Sequence, residues 1–328
     1  MKRRDFLALA AGAATLLPAP NWAQRRTTIP RVGVLWHAGS AEEEDVYLRV
    51  VEKAFGDLGY VDGKTILLEH RYPAEQAEKF RSMAQELVAS KVDVILSVAE
   101  LGARELRKAT STIPIVVVLS PDPVAAGLVE SLAQPGGNVT GLSLMAVDIS
   151  GKRVALLKEA VPTLSRVTLI VDPKDPSSRR VASSSLAAAK DLGIELRVAE
   201  ATSPAAIDEI LAGLEAAGSQ ALITGTGPLM FNERARIGAF VSARKIPTEV
   251  AVAEMVPFGP LLCYGQDFPD YFRRAVGYVD KILKGAKPAD LPVEQPSRFK
   301  LTINLKAARA MNIALPASLL ASADDVIE

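Results

Sequence analysis

The chain has 328 residues, with 38 basic and 38 acidic side chains, a single cysteine (Cys263) and two histidines, His37 and His70. The balanced charge excludes the basic footprint of a nucleic-acid or anionic-membrane binder. One cysteine excludes an internal disulfide, and the two histidines lie on separate βα units, so no metal-ligating set is visible and no cofactor is expected. A chain of this length also exceeds the size at which one core keeps growing, so two lobes are expected.

The first residues read as an export signal, not as fold. Lys2, Arg3 and Arg4 precede an apolar run from Leu7 to Leu17, and Pro18, Pro20 and the small residue Ala23 follow. The run is too short to span a bilayer, and cleavage after Ala23 would remove residues 1–23. The string Arg3-Arg4-Asp5-Phe6-Leu7 has the form of a twin-arginine signal, with an ordinary Sec signal as the alternative. No cysteine stands just after the cleavage point, so nothing there can be lipidated, and no later stretch is apolar enough to span a membrane. The expected mature chain is free in the periplasm.

Short apolar runs then alternate with helical patterns, the rhythm of parallel βαβ units. Strands are expected at 31–36, 65–70, 92–98 and 115–119, with helices at 47–58, 77–90 and 101–109. The turn Ser120-Pro-Asp-Pro-Val124 is expected to open a helix toward Leu132. Pro135-Gly-Gly-Asn138 then turns the chain into a fifth strand at 139–144. The rhythm restarts with a helix at 152–160. Strands at 166–171, 194–198, 221–224 and 246–250 follow, with helices at 179–192, 205–217 and 233–244. The tail adds a strand at 261–264, a helix at 271–283, a strand at 299–305 and a helix at 306–311. Elements left over after two complete halves imply that the chain revisits both lobes.

The motifs carry little catalytic chemistry. Gly59-Tyr-Val-Asp-Gly63-Lys64-Thr65 is one residue short of a phosphate loop and lies between a helix and a strand, the reverse of the order such a loop needs. It reads as a helix C-cap and turn. Gly225-Thr226-Gly227 follows a strand but lacks the third glycine of a dinucleotide loop, since Met230 stands there. No G-x-S-x-G elbow occurs. Asp122, between two prolines, reads as a helix N-cap or turn residue. Asp172 to Ser178 ends a strand and opens a helix, where free N–H groups and the Ser177 and Ser178 hydroxyls offer either an anion site or a plain capped start. His37 ends the first strand, where it either faces a cleft or packs.

Several strings, in order along almost the whole chain, carry a resemblance. They are Gly59-Tyr-Val-Asp-Gly-Lys64, Asp122-Pro-Val-Ala-Ala-Gly-Leu-Val129, Pro135-Gly-Gly-Asn-Val-Thr-Gly141, Tyr264-Gly-Gln-Asp267 and the stretch from Ile282 to Val293. Together they resemble the ABC-transporter substrate-binding protein family that includes the tryptophan-binding TrpX-like proteins. The resemblance implies an α/β type I periplasmic-binding fold: two Rossmann-like lobes with parallel sheets, joined by three hinge crossings, that clamp a small molecule and present it to an inner-membrane permease. It implies one lobe from 30–143 plus 264–285 and a second from 144–263 plus 286–328. It also implies a non-enzymatic monomer whose ligand contacts lie in the loops after the strands: Trp36, His37, Ser97, Glu100, Asp122, Asp172, Ser177, Ser178, Thr226, Glu254 and, at the last crossing, Gln266. Two loops depart from amino-acid-binding relatives. Gly225-Thr-Gly-Pro228 stands where Pro-Thr-Asp-Asn is expected, and Ala251-Val252 where Gly-Asp is expected. Without those aspartates the expected ligand is a carboxylic acid with an apolar body. A sensory receptor domain and an envelope enzyme on the same scaffold remain the alternative readings.

Overall fold

Runs of aliphatic residues that are buried on both faces set the frame, as parallel strands covered by helices require. The computed structural model describes residues 29–175, 177–296 and 298–328; the expected export signal at 1–23 lies outside them. The first half runs β1 (Arg31–Leu35), α1 (Asp45–Asp57), β2 (Leu67–Arg71), α2 (Ala77–Ala89), β3 (Val94–Ala99), α3 (Glu100–Ala109), β4 (Ile115–Ser120) and β5 (Val139–Ser143). These strands form one parallel sheet in the order β2-β1-β3-β4-β5. The second half runs α4 (Ala146–Ala160), β6 (Arg166–Val171), α5 (Ser178–Asp191), β7 (Glu195–Glu200), α6 (Pro204–Ala212), β8 (Ala221–Thr224), α7 (Pro228–Asn232), α8 (Arg234–Arg244) and β9 (Thr248–Val250). The tail contributes β10 (Leu262–Gly265), α9 (Phe268–Leu283), β11 (Lys300–Asn304), α10 (Leu305–Ala310), α11 (Ala317–Ala321) and β12 (Asp325–Ile327). The second sheet has the order β12-β11-β10-β9-β8-β6-β7, with only the β10–β11 pair antiparallel. Among the described residues, no helix is long and apolar enough to cross a membrane.

The expected helix from the Pro121–Pro123 turn to Leu132 does not form. Asp122 Oδ1 accepts the Val124 and Ala125 N–H groups at 3.2 and 2.9 Å, as a cap would. Gly127 then adopts a left-handed φ of 67°, and the Leu128 N–H bonds back to the Pro123 carbonyl at 2.9 Å. The motif supplies its own stop.

The chain passes between the lobes three times. The first passage follows β5, where Met145, a residue with a side chain, takes a left-handed φ of 48°. The second follows β10. After it α9 packs its buried face, with Phe268, Phe272, Ala275, Val276 and Val279 at helical spacing, on α1 and the first sheet. The third follows Glu294. These last two passages lie further along the chain than 264 and 286. Tyr264 and Gly265 still pair with β11 in the second sheet. Beyond 286, the segment still bonds to the first lobe: Thr140 Oγ1 donates to the Leu291 carbonyl at 2.7 Å, and the Glu294 N–H to the Gly141 carbonyl at 2.9 Å.

Candidate ligand-binding site

In a parallel sheet the loops after the strands gather at one edge, and here two such edges face each other. The cavity between them is about 190 Å³. The first lobe lines it with His37, Tyr47, Glu75, the Ala99–Leu101 segment, Leu119 and Pro121. The second contributes Asp172, Lys174, Asp175, Thr202, the loop from Thr226 to Leu229, Phe231 and Val252. Leu144 and Phe268 close it at the crossings. The lobes touch across it. Phe231 of α7 lies 5.6 Å from the Tyr47 ring and 6.4 Å, edge-on, from His37. At the rim, Arg180 of α5 donates to Asp122 Oδ2 at 2.7 Å.

Four carboxylates face this cavity against two basic side chains, Lys174 and His37. His37 Nδ1 lies 2.8 Å from Glu75 Oε1, and its Nε2 lies 3.3 Å from Glu44 Oε1. Burial pulls the imidazole pKa down, but the Glu44, Glu75 and Glu43 carboxylates outweigh it and hold it above the usual value. Glu100, in the first turn of α3, accepts the Ser120 hydroxyl at 2.8 Å and pairs with Arg104 at 3.4 Å. Burial pushes the Glu100 carboxyl up against these partners, with Asp175 and Asp122 adding repulsion. Across the cleft, burial also pushes Asp175 up, opposed by the Ser177 N–H and hydroxyl and reinforced by Asp172. Glu100 and Asp175 thus bring two carboxyl groups, each disfavoured as an anion by burial, to one cavity from opposite lobes. Burial, followed by the Glu254 and Glu44 carboxylates, holds the Tyr47 hydroxyl far above its usual range. That hydroxyl faces the Glu254 carboxylate, while Thr226 Oγ1 is buried without a hydrogen-bond partner among the described residues.

Of the expected contacts, His37, Glu100, Asp172 and Thr226 line the cleft. Trp36 does not. Successive side chains at a strand's end point to opposite faces, so Trp36 enters the core, stacks on Phe272 at 6.1 Å and donates to His70 Nδ1 at 2.9 Å. Ser97 is buried beneath α3, its hydroxyl donating to the Ala99 carbonyl at 3.1 Å. Ser177 and Ser178 spend their hydroxyls on Asp175 Oδ1 (2.9 Å) and the Asp172 carbonyl (2.5 Å), so of the two readings of this segment the plain capped helix start describes it and the expected ligand contacts of both serines are taken up by the loop itself. Asp122 stands at the rim. Glu254 and Gln266 line a separate cavity at the second crossing. The sequence reading missed Tyr47 and Phe231, which have the helical spacing of core residues, and Asp175, whose neighbours read as a helix cap. The ammonium-binding aspartates missing after β8 and β9 do not leave the cleft without carboxylates, because Glu100 and Asp175 come from other loops.

Two α/β lobes, three crossings and a lined cleft between the strand ends define a ligand-clamping protein of the type I periplasmic-binding class. The chain belongs to the family described as "ABC transporter substrate binding protein", which matches residues 42–327. It is 26% identical over 262 residues, 80% of this chain and 75% of the relative, to a tyrosine-binding protein of Clostridioides difficile (strain R20291). Its fold matches that of a conserved domain protein from Vibrio cholerae O1 biovar El Tor with a TM-score of 0.84 and 26% identity, over 91% of this chain and all of the other. It also matches an ABC domain in complex with L-Trp from Streptococcus pneumonia with a TM-score of 0.83 and 25% identity, over 92% of this chain and all of the other.

Proposed function

We propose that the chain is the solute-capturing component of an importer, exported to the periplasm by a twin-arginine or Sec signal, and that it takes an aromatic ligand carrying an ammonium group, of which an aromatic amino acid is the simplest example. The observation that carries this reading is that Glu100 from one lobe and Asp175 from the other line the same cleft, walled by Tyr47, Phe231 and Phe268. Bringing two carboxylates together in a partly dry cleft is costly, and a cation between them reverses the sign of that cost. The aromatic walls supply apolar area for a ring. Lys174, the Thr226 hydroxyl and the N-terminal turn of α3 supply donors for a carboxylate. The tyrosine-binding relative and the L-Trp-bound neighbour support the same ligand class.

Mechanistically this is a population shift: a ligand that touches both lobes favours the closed form by its differential affinity for it. A dissociation constant of about 1 μM, near −8 kcal/mol, is adequate for a carrier. The closed monomer then docks on a membrane permease, whose ATPase partner supplies the energy. A thermal-shift panel tests the reading: L-tyrosine, L-tryptophan and L-phenylalanine, their decarboxylated amines, and the matched acids lacking the amino group. Stabilisation by ammonium-bearing aromatics, recovered unaltered after incubation, supports it. Stabilisation confined to the des-amino acids contradicts the ammonium assignment, and consumption of the ligand contradicts the carrier.

A further inference from the structure

Phe231 joins the two lobes: it lines the cleft, is 6% exposed, and meets the Tyr47 and His37 rings of the first lobe. Its own helix cannot hold it there. α7 has five residues and no side-chain cap, and an isolated helix of that length is not stable in water. Arg234, the first residue of α8, supplies the hold. Its guanidinium carbon lies over the Phe231 ring, 4.3 Å from the centre, and its Nη1 donates to the Phe231 carbonyl at 2.9 Å. One planar side chain thus fixes both the ring and the backbone of the same residue. The same guanidinium stands 5.7 Å from the Phe258 ring. Phe258 ends the 3₁₀ helix Ala253–Phe258, which is pressed onto α8: a Cβ on Gly238 would stand 2.4 Å from the Phe258 carbonyl oxygen. Arg234 therefore ties the ring of a short helix to a closely packed platform. The charges point the same way. The neighbouring Glu233 is engaged by Arg236 at 2.7 Å, and among the described residues Arg234 forms no ion pair. The first turn of α8 holds no acidic residue, and the helix dipole opposes a cation there, so α8 itself gains little from this side chain.

We propose that Arg234 is a positioning residue of the cleft: it holds the Phe231 ring where Tyr47 and His37 of the first lobe meet it, so closure of the lobes over a ligand depends on it. This rests on the cleft being the ligand site but not on which ligand it takes.

The test combines small-angle scattering of the full mature chain without ligand and calorimetry with L-phenylalanine. Arg234→Met keeps the apolar stem and removes the guanidinium. It is expected to enlarge the ligand-free radius of gyration, to weaken L-phenylalanine by about fivefold, or to do both, the scale of a lost cation–ring contact. Arg234→Lys keeps the cation without the planar fork and is expected to fall between wild type and Arg234→Met. Unfolding midpoints report whether each variant folds, and Arg234→Lys decides the question should Arg234→Met not fold. A Phe231→Leu chain separates positioning from a general effect on α8: in it, the same change at Arg234 is expected to move either reading by less than about twofold. An unchanged radius together with an unchanged affinity overturns the proposal, as does an equal loss in the Phe231→Leu chain. If wild type does not bind L-phenylalanine, the ligand reading fails, and the radius alone decides the role of Arg234.

Discussion

His37 and Trp36 are neighbours with opposite fates, and the reason is the alternation of side chains at the end of β1: one faces the cleft and its carboxylates, the other the core. The His37 imidazole is held above its ordinary value of 6.5, so its pairing with Glu44 and Glu75 stabilises the fold fully below that pH and is lost as pH rises through the higher folded value. The stability lost on His37→Gln is therefore expected to be larger at pH 5.5 than at pH 8.5 in urea unfolding; a difference independent of pH contradicts the pairing. Gly141 is a second position where one residue decides. Its φ of 140° belongs to glycine, and a Cβ there would stand 2.0 Å from the Val117 carbonyl oxygen of β4. Gly141→Ala is expected to cost more than the roughly 1 kcal/mol typical of a substitution, read from denaturation midpoints. The sequence marked Gly141 only as part of a familiar string; its structural work is the close approach of β5 to β4. The position of His37, Glu100, Asp172 and Thr226 beside the cleft was legible because strand ends can be read from apolar runs. Tyr47 and Phe231 were not, since a buried aromatic on a helix has the same spacing whether it faces a core or a ligand.

At the scale of elements, the alternating pattern located the long strands and helices of both halves, because buried parallel strands and amphipathic helices have different periods. It failed where local geometry overrides the pattern, as at Gly127, and where elements are too short to show a period, as in α7, α11 and β12. It also gave no sign of what joins α4 to the second sheet. Arg153 of α4 is buried, donates to Glu249 Oε1 of β9 at 2.9 Å, and reaches the Thr224 carbonyl at the end of β8 at 2.6 Å. Removing one partner of such a pair leaves an uncompensated buried charge. Arg153→Met is expected to destabilise the chain by about 3–5 kcal/mol, while the double variant with Glu249→Leu recovers much of that loss. Equal loss in the single and double variants would mean that packing, and not charge, dominates there.

At the scale of the whole molecule, two halves and a tail that revisits both lobes were legible from the count of elements, but the points of passage were not. They are set by hydrogen bonds between distant segments, such as Glu294 with Gly141, that no local pattern encodes. The two lobes also meet through the Asp122–Arg180 ion pair at the rim, where the backbone N–H groups of Val124 and Ala125 orient the carboxylate. Such half-exposed pairs contribute about 0.5–1 kcal/mol, so Arg180→Ala is expected to shift the open–closed balance toward open by roughly two- to fivefold. A larger radius of gyration in small-angle scattering without ligand, reversed by the Asp122→Arg/Arg180→Asp exchange, checks this; an unchanged radius in Arg180→Ala contradicts it.

In the proposed function, carboxylates from both lobes clamp the ammonium group of an aromatic ligand. The measurement that tests it most directly is a calorimetric comparison of wild type and Glu100→Gln with a matched pair, L-phenylalanine and 3-phenylpropanoate. Wild type is expected to bind L-phenylalanine more tightly, with a loss of about tenfold or more in Glu100→Gln that is confined to the ammonium-bearing member of the pair. Equal binding of the two ligands by wild type, or an equal change for both in Glu100→Gln, would contradict it.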